Sequence, residues 1–223
     1  MNTATAMNVE LSAGDGHRLS AYVAEPAGIP CGGVVVIQEI FGVTSHIRAV
    51  ADQYAAAGFL AIAPALFDRV ERDVDVPYTD VQKAFSYMQA VKTDHAMMDV
   101  QAAIDRVSTA GKVGVVGFCW GGTMAYLAAV RLKIAAAVAY YGGGIHNHSG
   151  ETPGSPVMFH FGDKDTHIPL SAVTQIEAAY PQGIYHLYAA GHGFNCTDRA
   201  SFDPISSRLA LERSLEFLHQ YVG

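Results

Sequence analysis

The chain has 223 residues, half of them hydrophobic and only 16% charged, which excludes a disordered or purely solvating role. Its formal net charge is −7 with no run of lysine and arginine, so nucleic acid is not an expected partner. Three cysteines at irregular spacing, Cys31, Cys119 and Cys196, argue against a disulfide framework and for a reducing compartment.

In chain order, apolar residues at 9–11 and 19–23 flank a Gly/Asp-rich turn at 12–16 and predict a hairpin. After a Pro/Gly-containing loop at 24–33, residues 34–38 form a β-branched run of the kind buried on both faces. Residues 46–57 predict a helix capped by Gly58, and 59–63 a second buried strand stopped by Pro64. The polar stretch 66–78 is expected to be a surface loop. Helices are expected over 79–91 and 93–110, with Thr93 and Asp94 as caps for the second. Further strands are expected at 112–116, 134–141, 157–161 and 184–188. Helices are expected at 123–132, 170–180 and 204–221. Buried strands alternating with helices imply an α/β fold: one domain, 1–223, with a mostly parallel sheet flanked by helices. No stretch is long and apolar enough to span a bilayer, and the N-terminus lacks the pattern of a secretory leader. The expectation is a cytoplasmic protein, a monomer or small homo-oligomer, without a membrane partner.

Chemistry in such sheets gathers beyond the carboxyl ends of the strands. Gly117-Phe118-Cys119-Trp120-Gly121-Gly122 has the form of a nucleophile elbow with Cys119 at the reactive position. The glycines let helix and strand approach closely, and the following helix aims its positive end at the sulfur. A free cysteine titrates near ~8.5 and needs a base or cation to react at neutral pH. His192, between Gly191 and Gly193 after a strand, suits that base. Asp163 or Asp165 suits the carboxylate that orients it, and spacing alone leaves the two open. Backbone N–H groups of Ile40 and Trp120 are the expected oxyanion donors. Glu39 beside them is either a functional carboxylate or a glutamate solvated at a strand end. Tyr140, Tyr141 and Phe194 are expected to line an apolar pocket. His146 and His148 read as a polar loop over that pocket rather than a metal pair. Nothing in the pattern asks for a cofactor or metal.

Four segments in order resemble the dienelactone hydrolase family of α/β-hydrolases. They are Gln38-Glu39-Ile40-Phe41-Gly42, the cysteine elbow, Gly162-Asp163-Lys164-Asp165-Thr166-His167-Ile168-Pro169, and Ala190-Gly191-His192-Gly193-Phe194. The resemblance implies a Cys119–His192–Asp165 triad that opens a small lactone or ester through an acyl-enzyme. It also implies a role for Glu39 in deprotonating the thiol. The first of the family's two substrate-binding arginines matches Arg69. The second falls on Cys196, with Arg199 nearby as a substitute. That departure leaves a general carboxylesterase or thioesterase open as the alternative, and beyond it a non-catalytic scaffold for binding or redox sensing.

Overall fold

Gly33–Ile37 (β3) and Val113–Phe118 (β5) are buried at every position, as expected of β-branched runs covered on both faces. The computed structural model describes residues 5–223. The leader expectation rests partly on residues 1–4, which lie outside the described residues. Around β3 and β5 stand the hairpin β1 (Thr5–Ser12) and β2 (Arg18–Glu25), then β4 (Leu60–Pro64), β6 (Ala136–Tyr140), β7 (Val157–Gly162) and β8 (Ile184–Tyr188). The sheet order is β1-β2-β4-β3-β5-β6-β7-β8. Its β1–β2 and β2–β4 pairings are antiparallel and the rest parallel, matching the expected mostly parallel sheet.

The order reverses at β3. The chain leaves β3 for β4 on one side and returns through β5 on the other, with Ile37 in register with Gly117. The segments after these two strands therefore emerge side by side at the switch point, where open α/β sheets hold their ligands.

The helices are α1 (Ser45–Ala56), α2 (Val81–Ala90), α3 (Thr93–Val107), α4 (Trp120–Arg131), α5 (Leu170–Ala179) and α6 (Pro204–Tyr221). Asp80 caps α2 through Lys83 N–H, and Asp203 caps α6 ahead of Pro204 at its first turn. The expected Thr93/Asp94 cap of α3 is displaced: extended Lys92 takes the cap position without a side-chain bond, and Thr93 is already helical. The expected surface loop at 66–78 is partly interior. Leu66–Arg69 forms a 3₁₀ turn that buries Leu66, Phe67 and Asp68, and Asp75 bridges to Gly42. β6 stops one residue short of expectation, at Tyr140, because Tyr141 takes a left-handed φ of 38°.

Candidate active site

Cys119 sits between β5 and α4 with φ 55° and ψ −117°, a conformation that L-residues rarely adopt. Its N–H donates to the Tyr140 carbonyl at 3.0 Å, tying the turn to β6. The turn closes only because its neighbours lack side chains. A Cβ on Gly121 would lie 2.5 Å from the Ile37 carbonyl oxygen and closer still to that of Gln38. Trp120 begins α4, so its N–H has no acceptor within the helix.

His192 follows β8. Its Nε2 lies 3.1 Å from Cys119 Sγ, and its Nδ1 lies 2.8 Å from Asp165 Oδ2. Asp165 follows β7 and is buried; its other oxygen accepts the N–H groups of His167 (2.8 Å) and Ile168 (3.1 Å). Spacing left two aspartates to share the tasks of orienting the imidazole and closing the turn. Asp165 performs both, and Asp163 is exposed. Burial opposes charge on His192, but the hydrogen bonds its ring donates to Asp165 and Cys119 outweigh it and raise its pKa from 6.5 to about 10. Burial likewise opposes ionisation of Asp165, and the imidazole with the two loop amides reverses the balance, holding its carboxyl below the usual range.

Glu39 follows β3 and is 1% exposed, which removes the solvated reading. Arg199 Nη1 donates to its Oε1 at 3.2 Å, while Oε2 has no hydrogen-bond partner among the described residues. Burial pushes the Glu39 pKa up despite the nearby Arg199 and His192. The Arg199 guanidinium also lies over the rings of Phe41 and Tyr78, at 5.7 and 6.0 Å.

These groups open onto a cavity of about 500 Å³. Ile40, Cys119, Trp120, His192 and Arg199 line it, bringing together the expected nucleophile, base and oxyanion segments. Asn147 and His148, on the 3₁₀ turn Ile145–His148, form part of its rim, with His148 Nδ1 2.7 Å from Glu151.

Four residues expected to bind substrate or line the pocket, Arg69, Tyr140, Tyr141 and Phe194, are absent from the lining of this cavity. Arg69 turns away: its guanidinium pairs with Asp99 at 2.7 Å and Asp15 at 2.8 Å, and it borders a separate cavity with His17 and Lys92. Two carboxylates, one of them wholly buried, hold it there. Tyr140 is 1% exposed and bonds Ser214 on α6 at 2.8 Å, because the end of β6 turns this side chain into the core. Phe194 is fully buried against Tyr188 and Tyr141. Tyr141 is buried too, but it flanks the His192 ring at 5.1 Å. Aromatic residue type alone did not separate core from lining.

The sequence reading missed Val81, Phe85 and Met88 of α2, which line the cavity opposite the loops. Their i, i+4, i+7 spacing was the available signal. His167, set edge-on to His192 at 5.0 Å, was also missed, and no pattern around it distinguished it from a surface histidine.

Comparison with known proteins places this architecture among relatives. The profile described as "Dienelactone hydrolase family" matches residues 19–222. A carboxymethylenebutenolidase of Pseudomonas putida is 32% identical over 94% of both chains. Carboxymethylenebutenolidase 1 of Cupriavidus pinatubonensis is 30% identical over 94% of this chain and 95% of its own. A crystal structure from Klebsiella pneumoniae, provisionally assigned as a dienelactone hydrolase, superposes with a TM-score of 0.84. It is 29% identical and covers 97% of this chain and 100% of its own.

Proposed function

The chain belongs to the dienelactone hydrolase family, and from that premise we propose that it hydrolyses a small ester or lactone through Cys119, within one domain. In this reading the sulfur's proton rests on His192 Nε2, and Sγ attacks the acyl carbon. Negative charge gathers on the former carbonyl oxygen, where the N–H groups of Ile40 and Trp120 receive it. Collapse of the tetrahedral adduct expels the alcohol, which takes the proton from His192, and leaves a thioester on Cys119. Water, giving a proton to His192, then attacks the thioester and releases the acid, which leaves the sulfur beside the protonated imidazole as at the start.

The observation that carries the reading is the unbroken chain Asp165–His192–Cys119, at 2.8 and 3.1 Å, on the wall of the cavity. Asp165 fixes the ring so that Nε2 faces sulfur, and it stabilises the imidazolium. Glu39 has one oxygen without a hydrogen-bond partner among the described residues and a raised pKa, which suits a carboxylate that can take up a proton near the sulfur while Arg199 stays on its other oxygen.

Rapid mixing with p-nitrophenyl acetate tests this. The wild type is expected to release a burst of nitrophenolate stoichiometric with Cys119, and Cys119→Ala and His192→Ala to lose both burst and turnover. Turnover at the wild-type rate in either variant would overturn the mechanism.

A further inference from the structure

The α2 helix has two working faces. Ala84 and Tyr87 are buried, with Tyr87 stacked on Phe67 at 5.7 Å and its hydroxyl bonded to Glu71. Phe67 in turn stacks on Trp120 at 5.4 Å, so one aromatic column joins α2 to the first turn after Cys119. The adjacent face carries Val81, Phe85 and Met88, three residues that fall within about 60° of one another on a helical wheel. That face lines the cavity, yet Val81 and Phe85 remain 43% and 42% exposed. An anchored helix thus holds an apolar stripe over the reacting sulfur with no protein side chain covering it fully.

The charges of the same cavity point in the same direction. Arg199 is the sole arginine or lysine among the described residues that line it. Its guanidinium is paired with buried Glu39, lies over two aromatic rings, and packs against Gly193, where an added Cβ would come within 2.5 Å of Nη1. Arg69 is held elsewhere by Asp15 and Asp99. A substrate carboxylate would meet no unpaired arginine or lysine here and would lose its hydration against Phe85, Met88 and Trp120.

We propose that the α2 stripe is the subsite for an uncharged apolar group of about phenyl size, so that neutral esters, and not carboxylate-bearing lactones, are the preferred substrates. This specificity rests on the reading of Cys119 as the attacking atom, since the stripe matters only as the wall beside it. Val81, Phe85 and Met88 are then the determinants of substrate choice.

Trp120 is the one tryptophan of the chain and lines the cavity, so its fluorescence reports occupancy without turnover. The test uses Cys119→Ala with three probes: phenyl butanoate, monophenyl succinate and 4-butanoyloxybenzoate. The last two place a carboxylate on the acyl and alcohol sides respectively. Phenyl butanoate is expected to bind at least tenfold more tightly than either charged ester. Adding Phe85→Lys, at an exposed helical position, is expected to shrink at least one of those two ratios severalfold. Equal or tighter binding of either charged ester, ratios unmoved by Phe85→Lys, or no binding of phenyl butanoate would overturn the proposal. Wild-type turnover of phenyl butanoate separates the two claims. Selective binding without Cys119-dependent hydrolysis refutes the mechanism and leaves the apolar subsite, whereas hydrolysis without selectivity refutes the subsite alone.

Discussion

Replacing Gly121 by alanine tests whether the close approach of α4 to β3 sets the reactive geometry. The new Cβ would stand 2.5 Å from the Ile37 carbonyl oxygen and nearer to that of Gln38, backbone atoms at and just past the end of β3. Ordinary contact needs α4 to withdraw by about 1 Å, carrying Cys119 and the Trp120 N–H with it. A displacement of ~1 Å at reacting groups costs about 10²-fold in rate. Overpacking a core contact costs about 1–3 kcal/mol, and each kcal/mol lowers the melting temperature of a chain this size by roughly 2–4 °C. The assay is kcat/KM for p-nitrophenyl butanoate, measured well below the melting temperature, beside thermal melts of the same variants. Gly150→Ala is the control, since a Cβ there meets nothing within 4 Å. If Gly121→Ala keeps kcat/KM within about twofold of the wild type, the link between helix approach and rate is wrong.

Two further outcomes follow from the ion pairs. Arg69→Ala leaves Asp99 buried without its partner, and is expected to cost about 3 kcal/mol in urea unfolding while leaving KM for neutral esters unchanged; a raised KM at intact stability would return Arg69 to the substrate site. His192 holds its proton in the fold to about pH 10, against an ordinary value of 6.5. The stability it contributes is fully present below 6.5 and is lost as pH rises toward 10. Melts across that window are expected to fall less steeply in Asp165→Asn than in the wild type, and parallel curves would contradict the assignment.

The strands and the loops after them were legible because their signals are local. A β-branched run such as 34–37 has few alternatives to a buried strand, and the ordering of Cys119, Asp165 and His192 follows from how such sheets are wound. Side-chain direction was less legible. Arg69 sits in the expected motif, yet its direction is set by Asp15 and Asp99, 54 and 30 positions away in the chain. Tyr140 and Phe194 sit next to the site, but whether an aromatic ring faces core or cavity depends on partners such as Ser214 and Tyr188, which composition does not reveal. The α2 stripe has a helical period that could have been noticed. That it faces the cavity depends on the turn at 66–69, which a polar composition disguised as surface loop.

The two oxygens of Asp165 are committed to different parts of the chain: one to the ring of His192, the other to the amides that shape the loop before α5. Folding of that loop and aiming of the imidazole are consequently a single event. A substitution that removes both side-chain oxygens, as alanine does, strips the two loop amides of their acceptor along with the imidazole, so a lineage drifting toward an inert scaffold through this position would have to rebuild the bend by other means.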